Sequence, residues 1–192
     1  MQLRTILIVA LTLTIACGPS PSGETRSPNP NRVTIAPTQQ QLERAAREFA
    51  ELREGYLEWY FEVHPVRATE LGVHAYDGRL PAMDRAGIQR RIETLLEWLA
   101  DLEQIRFAFV RNDDRYDYAV LRSGIRSELL ELEESRAWAN DPGVYTQLIG
   151  RGLASVLERD FAPFAERAES LRARLTGARA LLDAVPDNVR RP

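Results

Sequence analysis

After residue 38, apolar side chains recur at every third or fourth position through successive long segments of the chain. This spacing places them along one face of an α-helix. The first helix begins with a capping box, Thr38-x-x-Gln41, and the later ones begin near Asp84, Asn112 or Asp113, Asp141-Pro142 and Pro163. Short connections between long helices favour antiparallel neighbours. The sequence therefore predicts an all-α fold, an array of about five antiparallel helices.

Two details of this array are predicted from its apolar residues. The run Ile105–Val110 alternates like a strand but has no second strand to pair with, so we expect it to form a buried connector. In the last helix, one apolar stripe is expected to face the core: Phe164, Ala168, Leu171, Leu175, Ala178 and Leu182.

The N-terminus has the pattern of a lipoprotein signal peptide. One arginine precedes an apolar run that is too short to span a bilayer, and the sole cysteine, Cys17, directly follows Ala16. Residues 13–17, Leu-Thr-Ile-Ala-Cys, resemble the bacterial lipobox, in which the cysteine is lipidated; an ordinary signal peptide with a chance cysteine is the alternative. We therefore predict a signal peptide over 1–17 with lipid attached at Cys17, and a protein held in the bacterial cell envelope, facing the periplasm or in the outer membrane.

Residues 18–37 differ sharply in composition from the rest of the chain. They are rich in proline and serine, which cannot bury enough apolar surface to fold, so we predict a disordered linker. The helical domain then occupies residues 38–192.

The charge balance excludes several classes of protein. The 25 basic residues are all arginine, the 28 acidic residues outnumber them, and no basic block provides the phosphate-binding surface that nucleic acids require. With two histidines and one cysteine, the chain also lacks the ligands for a zinc finger or a disulfide framework.

The two histidines are the first residues to consider as metal ligands. His64 and His74 lie near Glu62, Glu70 and Asp77, and Glu70-x-x-x-His74 would place two ligands on one helix face. Gly72 is expected to interrupt that helix, however, and no third ligand is evident, so structural roles at helix ends are favoured.

Other polar and aromatic groups have simpler interpretations. Carboxylates in the first turn of a helix complement its dipole, a glutamate run is typical of a solvated face, and the tryptophans lie on or beside the apolar stripes. The residues concerned are Asp113, Asp114, Asp117, Glu131, Glu133, Glu134, Trp59, Trp98 and Trp138. The sequence predicts no catalytic residue and no metal ligand in this chain.

Several segments resemble one bacterial family. The segment Pro65–Pro81 reads Pro-x-x-Ala-Thr-x-Leu-Gly-x-His-x-Tyr-Asp-x-Arg-Leu-Pro, and further similarity lies in residues 138–145 and 159–167, in Arg174-Leu175 and in Asn188. These features resemble the N-terminal part of the family known as domain of unknown function 885, whose members are often lipoproteins.

The resemblance implies a helical protein similar to zinc-dependent peptidases. The family's metal motif, His-Glu followed by Pro-Gly-His-His, lies C-terminal to the segments matched here, and this chain has no histidine after His74. We therefore expect a truncated N-terminal portion that is inactive alone, with zinc and a peptide substrate bound only in longer relatives and with the missing C-terminal part as its partner. The alternative is a non-enzymatic helical lipoprotein that binds a peptide or protein in the envelope.

Overall fold

The computed structural model describes residues 36–189. The predicted signal peptide, Cys17 and nearly all of the predicted linker lie outside the described residues. Within 36–189 the chain contains no strand and forms seven α-helices: α1 (Gln39–Val63), α2 (Pro65–Glu70), α3 (Arg85–Gln104), α4 (Asp114–Leu130), α5 (Ala137–Asn140), α6 (Gly143–Leu157) and α7 (Phe164–Asn188). The all-α prediction is confirmed, and the five long helices are α1, α3, α4, α6 and α7.

Local signals set most helix ends. The Thr38 hydroxyl accepts from Gln41 N while the Gln41 side chain accepts from Thr38 N, as the capping box requires. Asp84 accepts from Gly87 N at 3.0 Å, and Asp141 accepts from Gly143 N at 2.7 Å. At the start of α4, by contrast, the side chain of Asp113 makes no capping hydrogen bond.

The first three long helices pack together with alternating directions. Phe49 on α1 meets Tyr118 on α4 with ring centroids 5.8 Å apart, and Tyr56 meets Trp98 on α3 edge-on at 6.0 Å. Near the other end of α1, His64 contacts Glu128 of α4. Helices α1 and α4 therefore run parallel, with α3 antiparallel to both, and their facing side chains form most of the core.

The connector between α3 and α4 is anchored at its two ends. Ile105 and Val110 are buried, whereas Phe107, in a short 3₁₀ turn over Phe107–Phe109, is half exposed. The Tyr118 hydroxyl donates to the Leu102 carbonyl near the end of α3, and the ring of Phe107 in the connector lies 5.2 Å from the ring of Tyr118. None of the helices between residues 39 and 188 combines the length and hydropathy needed to cross a bilayer.

The predicted inward face of α7 is largely wrong, although one of its members, Ala178, is buried. Phe164, Leu175 and Leu182 are exposed, at 70%, 54% and 48% of their surface. The other buried residues of α7 are spaced seven apart along the helix: Arg167, Arg174, Leu181 and Asn188. Since successive helical residues differ by about 100°, the helix is turned by roughly a quarter of a turn from the orientation that the apolar stripe predicts. The cause is the set of hydrogen bonds that the inward polar residues make, described below.

Two adjacent leucines provide a test of this orientation. Leu181→Ala removes a side chain that is 4% exposed and is expected to lower the free energy of unfolding by about 2–4 kcal/mol. Leu182→Ala alters an exposed side chain and should change the free energy of unfolding by less than about 1 kcal/mol. Urea unfolding followed by circular dichroism measures both, and a larger loss for Leu182→Ala would contradict the orientation.

Candidate functional site

The segment Pro65–Pro81, which carries most of the family resemblance, folds as a short helix and a turn. Pro65 occupies the first position of α2, where its missing N–H has no helical partner to lose. Gly72 has a φ of 85° and ends the helix, because left-handed backbone is unfavourable for residues with a side chain. A 3₁₀ turn over His74–Tyr76 follows.

Arg174 of α7 binds this segment to α6 and α7. Its side chain is fully buried, which is unusual for arginine and requires that its donors be satisfied. The guanidinium donates to oxygens from three parts of the chain: Thr69 Oγ1 at 2.7 Å, Ser155 Oγ at 2.8 Å, the Arg79 carbonyl at 3.1 Å, the Pro65 carbonyl at 3.3 Å and the Gly152 carbonyl. We call Arg174 and these five oxygen-bearing residues the arginine clamp.

A buried carboxylate balances the charge of the clamp. The Thr69 hydroxyl lies 2.6 Å from Asp77 Oδ1, so Thr69 links Arg174 to the carboxylate. Burial lowers the pKa of Arg174, while the negative charges of Asp77 and Glu70 oppose that change. His74 Nδ1 contacts the other oxygen of Asp77 at 2.9 Å. Asp77 is thus held by hydrogen bonds on both oxygens.

The two histidines belong to different clusters. The ring of His74 stacks on Phe161 at 3.9 Å. His64 Nε2 contacts Glu128 Oε1 at 2.9 Å, and Arg91 Nε lies 3.3 Å from the same oxygen. Among residues 36–189, no group of three or more histidine, cysteine or carboxylate side chains could hold a metal ion.

Glu70 does not pair with His74. It accepts from Arg67 and from both Nε and Nη2 of Arg151, while Arg159 donates to its backbone carbonyl. Burial raises the pKa of the Glu70 carboxyl, but the hydrogen bonds and charges of Arg151 and Arg67 outweigh it and leave the pKa below its usual value. This cluster lies on the surface and joins α2 to α6.

The other candidates of the sequence have structural roles. Arg53 lies 2.9 Å from Asp117 and 3.7 Å from Asp114, which joins α1 to α4. Trp138 is buried, and Trp59 and Trp98 are partly buried against the core. The glutamates at 131, 133 and 134 are exposed, as expected.

Two further inward residues of α7 were not singled out as functional by the sequence. Arg167 donates to the Ala162 and Leu157 carbonyls and to Asp160, at 3.0, 3.1 and 2.6 Å. Asn188 donates to the Met83 carbonyl and to the Tyr145 hydroxyl. These polar side chains and Arg174 are spaced by multiples of seven residues, which could have indicated that they share one buried face of α7. The apolar stripe beside that face gave a stronger pattern and led to the other prediction.

Comparison with known proteins identifies the family. The family described as "Bacterial protein of unknown function (DUF885)" matches residues 65–192, and this chain belongs to it. A solved structure, described as that of "a putative lipoprotein of unknown function" from Shewanella oneidensis, superposes with a TM-score of 0.68 at 25% sequence identity. The match covers 75% of this chain and 26% of that protein, so the chain spans about a quarter of its length. No curated protein matches the sequence significantly.

Several residues that carry the resemblance join different segments of the fold. Thr69, Asp77 and Arg174 form the clamp and its counter-charge, and Tyr145 and Asn188 join α6 to the end of α7. Within residues 36–189, the structure therefore assigns these shared side chains to holding the helices together.

Replacing Arg174 tests the clamp. Arg174→Met leaves several buried oxygens without a donor and Asp77 without a nearby positive charge, so we expect a loss of about 3–5 kcal/mol in the free energy of unfolding. Arg172→Met alters an exposed position of the same helix, and its free energy of unfolding should stay within about 0.5 kcal/mol of the wild-type value. Urea unfolding measures both, and similar values for the two variants would refute the role of the clamp.

Glu70 should contribute to stability in a pH-dependent manner. Because folding lowers the pKa of its carboxyl below 4.5, the stabilisation is present above that pH and is lost as the pH falls through the folded value. Glu70→Gln should therefore cost about 1 kcal/mol at pH 7 and less at pH 3. Unfolding across this pH range, with Glu169→Gln as the exposed control, measures the difference. A cost that is unchanged at pH 3 would contradict the assignment.

Proposed function

We propose that this chain is the N-terminal helical part of a longer lipid-anchored envelope protein whose hydrolytic centre resembles that of zinc-dependent peptidases. The catalytic groups and the zinc ion belong to the remaining part of that protein, and the residues of this chain form one wall of the substrate cleft. Alone, the chain is inactive.

One observation above all supports this proposal. Helix α7 exposes a row of large apolar side chains, Phe164, Leu175 and Leu182, beside the partly buried Leu171. Contiguous apolar surface on a soluble domain is typical of a contact with another protein part. The Shewanella oneidensis protein is about four times as long as the segment matched, which is consistent with additional helices packing on this row.

The clamp suits a supporting wall. It holds α2, α6 and α7 through hydrogen bonds to a buried charge, and such bonds depend on geometry more strongly than apolar contacts do. Zinc would supply a Lewis acid and an activated water in the intact protein. No metal-ligating role is assigned to His64 or His74, since each is engaged with a carboxylate in a separate cluster.

Membrane attachment through Cys17 completes the proposal. The lipobox-like sequence at residues 13–17 and the proline-rich residues 18–37 are the arrangement expected for a lipid anchor and a linker. The description of the Shewanella oneidensis protein as a lipoprotein is consistent with it.

The native protein provides the test. It should be captured from cell envelopes with an antibody against the helical domain, and its intact mass measured. We expect a lipid-modified species much heavier than 21.8 kDa, with peptidase activity that a zinc chelator removes. A lipid-modified species near 21.8 kDa would overturn the enzymatic proposal and favour the non-enzymatic lipoprotein that binds a peptide or protein partner.

A cysteine variant tests the anchor separately. Cys17→Ser should shift the protein from the membrane fraction to the soluble fraction and abolish the lipid mass, because the thiol is the attachment point. Ser20→Ala, a nearby change in the predicted linker, serves as the matched control and should remain in the membrane fraction. Retention of Cys17→Ser in the membrane fraction would contradict lipidation.

A further inference from the structure

A cavity of about 460 Å³ opens between the C-terminal part of α1, the segment 79–82 and the first half of α3. This volume lies within the range of sites that bind small organic molecules. Its main lining side chains come from α1, from α3 and from the segment between them: Trp59, Val63, Arg79, Pro81, Arg90 and Arg91.

The cavity is positively charged. Three guanidinium groups line it, and Glu62 is its single carboxylate. Glu62, the carboxylate of the cavity, lies 3.5 Å from Arg79. Arg90 therefore has no acidic partner there, and within residues 36–189 its side chain makes no ion pair and no hydrogen bond. Like charges that converge in a cavity repel each other, so a bound anion would be stabilised there.

Arg91, the third guanidinium of the cavity, forms an ion pair within the protein. Its side chain is 11% exposed and its Nε is buried without a hydrogen-bond acceptor. The nearest carboxylate oxygen, Glu128 Oε1 at 3.3 Å, already contacts His64 at 2.9 Å. Glu128 therefore offsets the charge of Arg91, and the charge available to a ligand comes from the more exposed Arg79 and Arg90.

The remaining lining is apolar. The ring centroids of Trp59 and Trp98 lie 6.5 Å apart, and this packing limits the rotation of Trp59. Val63 and Pro81 lie beside Trp59 around the cavity. Guanidinium groups next to an aromatic surface suit a molecule that carries a carboxylate and an apolar ring, because arginine pairs with carboxylates through two parallel hydrogen bonds and the ring packs on tryptophan.

We infer that this cavity binds the C-terminal carboxylate of a peptide that ends in an aromatic residue. Arg90 and Arg79 bind the carboxylate at the open side of the cavity, and Trp59 contacts the aromatic side chain. The inference concerns binding alone; every lining residue lies on the described domain, so it does not depend on the proposed catalytic activity or on the lipid anchor.

A pair of matched peptides tests the inference on the full native protein in detergent. N-acetyl-alanyl-phenylalanine carries the carboxylate, and its C-terminal amide has the same shape without the charge. Isothermal titration should show binding of the acid, with the amide at least about ten-fold weaker, because a charge-assisted hydrogen bond is lost. Equal affinity of the two peptides, or no binding of the acid, would overturn the inference.

Two variants locate the site. Arg90→Gln removes an exposed guanidinium without a partner in the described domain, so the fold should be retained, and circular dichroism verifies this. The affinity for the acid peptide should fall about ten-fold, and the affinity for the amide should not change. Arg172→Gln, on the exposed face of α7, is the control and should bind as the wild type does. An unchanged affinity in Arg90→Gln would overturn the assignment of this cavity, whatever the intact mass and lipidation of the native protein prove to be.

Discussion

A single buried guanidinium, that of Arg174, determines how the second half of the domain is arranged. A charge that leaves water must recover its lost hydration through hydrogen bonds and a counter-charge. Here the hydrogen bonds come from oxygens on α2, on α6 and on the segment that leads to α3, and the counter-charge comes from Asp77 through Thr69. Since these groups satisfy the guanidinium only in one geometry, the clamp sets the positions of three segments that are distant in sequence.

The same requirement determines which face of α7 is buried. Arg167, Arg174 and Asn188 all find their partners on one side, and Leu181 lies between them on that side. The apolar stripe about 100° away is therefore left facing solvent, although burial of its leucines would be favourable. Leaving a buried arginine and asparagine without partners would cost more than exposing leucines, which explains the observed orientation.

Two surfaces follow from this arrangement, and they differ in chemistry. The outward row of α7 is apolar and suits a protein contact, whereas the cavity between α1 and α3 is cationic and partly aromatic and suits a small anion. The guanidinium of Arg174 contributes to neither surface, because it is fully buried and its donors are engaged within the protein. In the proposed intact protein the row would adjoin the remaining helices.

The sequence by itself determined the helical class, most helix boundaries and the break at Gly72, because a cap, a proline or a glycine acts within about four residues of the backbone it affects. It did not determine the partners of His64, Arg91 and Arg174, which lie on other helices. Glu128 is 64 positions from His64, and Thr69 is 105 positions from Arg174. Only the tertiary structure decided these pairings and the rotation of α7, since buried polar groups select a helix orientation through the acceptors that packing brings near them.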